Sequence, residues 1–281
     1  MRHFKNLFFS SRQFRNGVII CAFYALMATV LIHITPEQLV SDYSNRYLPP
    51  SFSHLMGTDF AGRDTFAMIV HGSRDVLSIG FFAGVFSVFI GVAVGSFAGF
   101  IGGKVDAVLM RITDVVLTIP QFPIMMIMAA LFNVNNPILI GGILALWSWA
   151  FLARTVRAQI LSLKNREFVL ASRMLNLPNH VIVFKELVPN MYSYLSINFI
   201  RNFRAAITAS IGLIFLGLMP YTQTNWGMML DLAFQKTGAI YIPEAIWYVL
   251  SPMVTIVLFQ YGMLCLAHGL EELFNPRLRD R

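Results

Sequence analysis

The residues able to do chemistry are few and scattered. His3, His33, His54, His71, His180 and His268 stand at no ligand-like spacing from one another, so a metal site is not expected. Asp59 and Asp64 are a pair of nearby carboxylates, but hydrolysis would also need a nucleophile or metal that the sequence does not offer. Gly103-Lys104 is followed by Val105 and preceded five positions earlier by Ala98, so the phosphate-cradling Gly-x-x-x-x-Gly-Lys-Ser/Thr loop is missing and ATP cannot be bound that way. No catalytic, cofactor-binding or metal-ligating residue is therefore expected. Cys21 and Cys265 both fall inside apolar runs, which rules out a disulfide framework. Arg201 and Arg204 remain, two fixed cations within a largely apolar stretch. They could attract carboxylates of a solute, pair with an acid on a neighbouring helix, or snorkel to a shallower depth.

The elements that position these residues follow from composition. Of 281 residues 57% are hydrophobic and only 12% charged, and the mean hydropathy is +0.65. A water-soluble globule carries roughly 25% charged residues, so this chain belongs in lipid. Uncharged spans run over 16–36, 77–103, 115–153, 205–230 and 245–270, each long enough for about 20 residues across a hydrocarbon core of roughly 30 Å. Asn133, Asn135, Asn136 and Pro137 divide the third of them. Residues 191–218 read as a helix despite the two arginines. The expectation is an all-α polytopic membrane protein in one domain over 1–281, with six transmembrane helices at about 17–34, 77–101, 108–132, 137–153, 191–218 and 246–268. The first of these is read as an uncleaved helix, its apolar run being too long for a signal core and lacking a small-x-small site before Pro36. Outer segments occupy 35–76 and 219–245, and a cytoplasmic segment occupies 154–190.

Orientation rests on the basic residues. With the N-terminus inside, fifteen of the 21 lysines and arginines fall in cytoplasmic segments and four outside, as the positive-inside rule requires. Both termini are then cytoplasmic. The net charge of +7 is accounted for by topology and anionic lipid, with no need for nucleic acid.

The second span repeats a small residue along one side: Gly80, Gly84, Gly91, Gly95, Gly99 and Gly103. Such spacing lets a neighbouring backbone approach closely, so these glycines are assigned to helix packing. Pro120 and Pro123 should bend the third span. Trp226 and Trp247 are expected at interface depth. In the outer segment SHLMGTDFAGRD, Gly57 and Gly62 permit tight turns and Asp59 can cap its own backbone.

The most informative stretch is LKNREFVLASRMLNLPNHVIVFKELVP, from Leu163 to Pro189. Asn165 is a candidate N-cap, Glu167 favours the first turn, Asn176 can take the left-handed conformation, and Pro178 forbids continuation. A helix over 166–175 would place Phe168, Ala171, Ser172 and Leu175 on one face. So short a helix is not stable alone. By these residues alone it either docks a partner or lies back on the membrane surface.

The run EFVLASRMLNLPNHVIVFKELVPN resembles the cytoplasmic loop motif of ATP-binding-cassette (ABC) importer permeases. There a Glu-Ala-Ala triplet is followed by glycine and then by an aliphatic-x-Pro element. LMGTDFAGRD at 55–64, GGKVDAVLMRITDVVLTIP at 102–120, NWGMML at 225–230 and NPRLR at 275–279 are similar to the second, "C"-type permease of dipeptide, oligopeptide and nickel importers. The resemblance covers most of the chain from Leu55. It implies a type I ABC importer permease fold and a coupling helix, carried here by Glu167, Phe168, Ala171, Ser172, Leu175 and Asn176, that inserts into an ATPase subunit. Two departures stand out: Leu170-Ala171-Ser172 replaces the triplet, and Asn176 replaces the glycine. Related permeases usually carry no charge where Arg201 and Arg204 stand.

The implied function is that of a permease subunit, itself not an enzyme, forming half of the translocation pathway for a peptide-like or metal-chelate solute in a prokaryotic inner membrane. Implied partners are a homologous permease, two ATPase subunits that hold ATP and Mg, and an extracytoplasmic solute-binding protein. Against the outer segment 35–76, the resemblance sets the sister permease and receptor. The alternatives are an autonomous channel or secondary carrier, which would call for inverted repeats or intramembrane acids, and a membrane scaffold. The solute is not legible in these residues.

Overall fold

The computed structural model describes residues 11–35, 40–131, 136–219 and 221–274. Helix α1 is Arg12–Thr29, and the centre of the structure is α2, Thr65–Ile101, one helix of 37 residues. At 1.5 Å per residue α2 is roughly 55 Å long, well beyond a bilayer core. It begins twelve residues before position 77, the expected start. The charged outer part, with His71, Arg74 and Asp75, is expected to be an outer segment, yet Ala67, Met68, Ile69, Val70 and Val76 are buried there and hold the extra turns in helix. Asp64 caps the start, accepting from the Ala67 amide at 2.8 Å. Gly102 and Gly103, at φ 73° and 57°, end it. Gly103 therefore belongs to a sharp turn, and the packing stripe stops at Gly99.

Helices α3 (Gly103–Thr118) and α4 (Gln121–Leu131) follow, bent by 82° at the break. Pro120 lies in that break, where its missing N–H and fixed φ forbid a continuous ladder. The expected single span at 108–132 is thus two arms. The residues 132–135, with Asn133 and Asn135, lie outside the described chain. Asn136 then caps α5 (Pro137–Leu163), accepting from the Ile138 amide at 2.8 Å, with Pro137 in the first turn. Helix α5 runs ten residues past the expected end at 153 because Val156 and Ile160 are fully buried along α2. The segment from 154, expected to be cytoplasmic, therefore starts as a stalk of α5.

A short helix α6 (Glu167–Met174), a turn at Asn179–Val181, a π-helical turn at Ile182–Leu187 and a 3-10 turn at Pro189–Met191 lead into α7 (Tyr192–Phe215). Past α7 the chain forms α8 (Trp226–Asp231), a π turn and two 3-10 turns before α9 (Ile246–Phe274). Trp226 is fully buried and donates from Nε1 to the Ile69 carbonyl at 3.1 Å. It is a core residue and not an interface anchor, whereas Trp247 is 45% exposed.

Helix α2 packs most extensively along α5 and next along α7, while α9 pairs with α1. The last pairing is a backbone contact: a Cβ on Gly17 would lie 2.4 Å from the Leu266 nitrogen. Among the described residues, four helices are long and apolar enough to cross a membrane, α1, α2, α5 and α9, each with its flanking turns where it has them. The bent pair α3 and α4 makes a fifth candidate. Helix α7 is not among them, since Arg201 and Arg204 stand there with Asn198, Asn202 and four serines and threonines.

Candidate coupling helix and charged groove

Helix α6 is held from beneath. Its inward residues, buried Val169 and half-buried Phe168, enter the same apolar cluster as Phe100 of α2, Val156 and Ile160 of α5, and Ile182, Val183 and Leu187 of the π turn. Ser172 is also turned inward, donating to the Phe168 carbonyl at 3.0 Å. Arg173 lies over the Phe100 ring at 5.3 Å. Helix α6 is thereby fastened to the ends of α2 and α5.

Its outward surface is apolar. Leu170, Ala171, Met174, Leu175 and Leu177 are all exposed, Met174 at 88% and Leu175 at 75%. The expected face of Phe168, Ala171, Ser172 and Leu175 is therefore split: Phe168 and Ser172 anchor, while Ala171 and Leu175 are presented. Helical spacing groups 168 with 171, 172 and 175 and also 169 with 172. With eight residues it does not choose between them. Leu170, Met174 and Leu177 went unassigned because an isolated leucine or methionine reads equally as core.

The caps differ in part from expectation. Arg166, not Asn165, occupies the N-cap position, with extended backbone and no side-chain cap bond. Glu167 stands exposed in the first turn. At the other end Asn176 has φ 55°. The Leu177 amide donates to the Ser172 carbonyl at 3.2 Å and the Asn176 amide to Arg173 at 2.9 Å, the two bonds of a Schellman close.

The glycines of α2 face two partners. A Cβ on Gly80 or Gly84 would meet Ile207 or Phe199 of α7 at 2.8 Å. On Gly91 it would meet Leu152 at 2.9 Å, on Gly95 the Ala153 carbonyl oxygen at 2.4 Å, and on Gly99 Ile160 at 2.9 Å, all on α5. Gly72 and Gly141, outside the period, are as tightly placed, against the Thr224 carbonyl at 1.9 Å and the α2 backbone at 2.9 Å.

Ion pairs tie the same end of the bundle together. Asp106 of α3 takes both Nε and Nη2 of Arg157 of α5 at 2.5 Å. Asp114 pairs with Arg154 at 2.6 Å and not, as its spacing suggests, with Arg111. On the far side of the bundle Asp59 is fully buried, accepting from the Ala61 and Arg63 amides at 2.9 and 2.8 Å and from the Arg63 guanidinium. Arg63 also donates to Gln223. Asp64 bonds His54 at 2.9 Å. These carboxylates are committed to holding the loop 57–64 in shape.

Arg201 and Arg204 line a groove of about 590 Å³ between α7 and α9, with Phe122, Thr208, His268 and Glu271. Arg201 Nη2 donates to Glu271 Oε1 at 2.5 Å. An arginine at the centre of a span costs about 2.5 to 3.5 kcal/mol on insertion scales, so the groove must meet water or protein. Sequence reasoning left this acid unnamed because Glu271 falls just past the apolar run.

Comparison with known proteins agrees with this architecture. Residues 91–280 match the family "Binding-protein-dependent transport system inner membrane component". The chain is similar to the dipeptide transport system permease protein DppC of Bacillus subtilis (strain 168), at 32% identity over 266 residues, covering 94% of this chain and 81% of the relative. It is 33% identical over 270 residues to the oligopeptide transport system permease protein OppC of the same organism, covering 94% and 85%. With OppC of Haemophilus influenzae the identity is 29% over 279 residues, 98% of this chain and 88% of the relative. The chain belongs to the family of binding-protein-dependent inner membrane transport components, as a C-type permease of the peptide group and a multi-pass membrane protein.

Proposed function

We propose that this chain is the second permease subunit of an ATP-driven importer and forms half of the translocation pathway for a peptide-like solute. The observation that carries the reading is the split character of α6. One face is locked to α2 and α5 by Phe168, Val169 and Arg173, and the other presents Leu170, Ala171, Met174 and Leu175 to whatever lies beyond. A rod fastened on one side and apolar on the other transmits force from a docked motor as rigid-body motion. The motor is a pair of ATPase subunits, which hold ATP and Mg; the sister permease supplies the other half of the pathway, and a solute-binding protein delivers from outside. Both termini lie on the ATPase side, with α7 making the sixth crossing beside the sister permease. The glycines of α2 allow the bundle to rock without losing contact.

The test is crosslinking from a single cysteine at Met174→Cys, with Cys21 and Cys265 replaced by alanine, to the ATPase subunit that copurifies with this chain. Crosslinks that form and shorten on ATP binding support the reading. Their absence in a complex that still takes up peptide overturns it. Uptake of a labelled dipeptide against a nickel chelate assigns the cargo; the names of the relatives support peptide.

A further inference from the structure

On α2 and α9 the outward surface includes side chains suited to lipid: Phe89 of α2 and Val254, Val257 and Leu258 of α9 are exposed and apolar. The outward stripe of α7 is different. Arg201, Ala205 and Thr208 are exposed and Arg204 is half-buried beside them, so this side is small, polar and cationic. Lipid would not tolerate it. A water-filled path would.

The groove's charges are unbalanced. Two guanidinium groups, Arg201 and Arg204, share the groove with one carboxylate, Glu271. Glu271 reaches Arg201 through one bond, with side-chain exposures of 31% and 61%. An ion pair so exposed is weak and readily exchanged. Among the described residues no carboxylate pairs with Arg204; its carbonyl, and not its guanidinium, is engaged, by Thr208 and Gln260. A volume of about 590 Å³ falls in the usual range for small-molecule sites.

We infer that Arg201 and Arg204 form a carboxylate site on the transport path, and that Glu271 is its resident competitor, displaced from Arg201 when the terminal carboxylate of a peptide arrives. The inference rests on the permease reading and adds the chemistry of the ligand. Arg204 is the standing attractant, and a fork of guanidinium N–H groups accepts a planar carboxylate better than an ammonium does. Glu271 returns to Arg201 once the solute has left, which restores an empty site without trapping the anion.

The test uses the assembled importer in neutral-lipid nanodiscs, titrated with trialanine or trialanine amide and followed by its thermal unfolding midpoint. Trialanine raises the midpoint and the amide does not. Arg204→Gln weakens the trialanine response about tenfold, the usual worth of a charge-assisted hydrogen bond. Arg204→Lys retains part of it, and Glu271→Gln strengthens it by removing the competitor. Equal responses to acid and amide overturn the site. So does no response up to tens of millimolar, or a response that appears only when anionic phosphatidylglycerol is present, which would make the groove a lipid site. A complex that retains its ATPase yet shows any of these loses only the carboxylate site. A chain that recruits no ATPase loses the permease reading first.

Discussion

The Lys164 ammonium donates to the Gly99 carbonyl at 3.1 Å. Lys164 ends α5 at the root of α6, and Gly99 lies in the last turn of α2. One bond thus places a cation on the carbonyl end of the central helix, where helix polarity favours it, and ties that end to α6. Lys164→Met should remove a bond worth about 0.5 to 1.5 kcal/mol and lower the unfolding midpoint by a few degrees. ATP hydrolysed per solute should rise as the lever loosens. Lys164→Arg should retain both properties; a methionine variant equal to wild type in both would leave the tie without consequence.

Two glycine substitutions separate close packing from mere abundance of glycine. A Cβ at Gly95 would stand 2.4 Å from a backbone oxygen of α5, whereas at Gly212 the nearest atom is Phe122 Cε2 at 4.0 Å. Gly95→Ala should cost about 1 to 3 kcal/mol, as overpacking does. Gly212→Ala should fall within about 0.5 kcal/mol of neutral. Thermal midpoints of the purified variants compare them, and similar values for the two would refute the α2 and α5 contact.

Asn176 at φ 55° closes α6. Asn176→Gly should be tolerated, since glycine takes the left-handed region freely. Asn176→Val should cost about 1 to 2 kcal/mol and fray the last turn, seen as faster proteolysis between 163 and 178. If valine leaves the proteolysis rate unchanged, the close is not what holds the helix end.

How much was legible in advance follows from which forces act locally. Breaks and the left-handed close were readable because their causes lie within a few residues: Pro120 bends a span, Asn136 and Pro137 stand at a division between helices, and Asn176 turns left-handed; the cap on α6 was not, Arg166 standing where Asn165 is expected. The glycine stripe was readable as a period, but not that Gly80 and Gly84 serve α7 while Gly91, Gly95 and Gly99 serve α5, since a helix does not carry its neighbours' identities. Gly72 and Gly141 escaped because their partners are set by tertiary contact and not by repetition. Helices run beyond the expected spans where charge reads as loop. In α5, Arg154 and Arg157 are satisfied by acids of α3, 40 and 51 residues earlier in the chain, so the helix runs on. The same blindness hid Glu271, 70 residues from Arg201.

The two ion pairs between α3 and α5 offer a comparison within one interface. Arg157 and Asp106 make two parallel bonds at 2.5 Å, with side-chain exposures of 31% and 18%. Arg154 and Asp114 make one bond at 2.6 Å, both more than half exposed. Bidentate geometry and partial burial raise the worth of a pair, while exposure removes most of it. Asp106→Asn should therefore destabilise by about 1 to 2 kcal/mol, and Asp114→Asn by less than about 0.5 kcal/mol. In a double-mutant cycle with Arg157→Met, the coupling energy isolates the direct interaction. A value near zero would mean that Asp106 acts only at the start of α3, where it stands in the first turn and meets the helix dipole. A substantial value means that α3 is clamped to the α5 stalk. The bend at Pro120 then becomes the point where α4 can move while α3, α5 and α6 travel as one body.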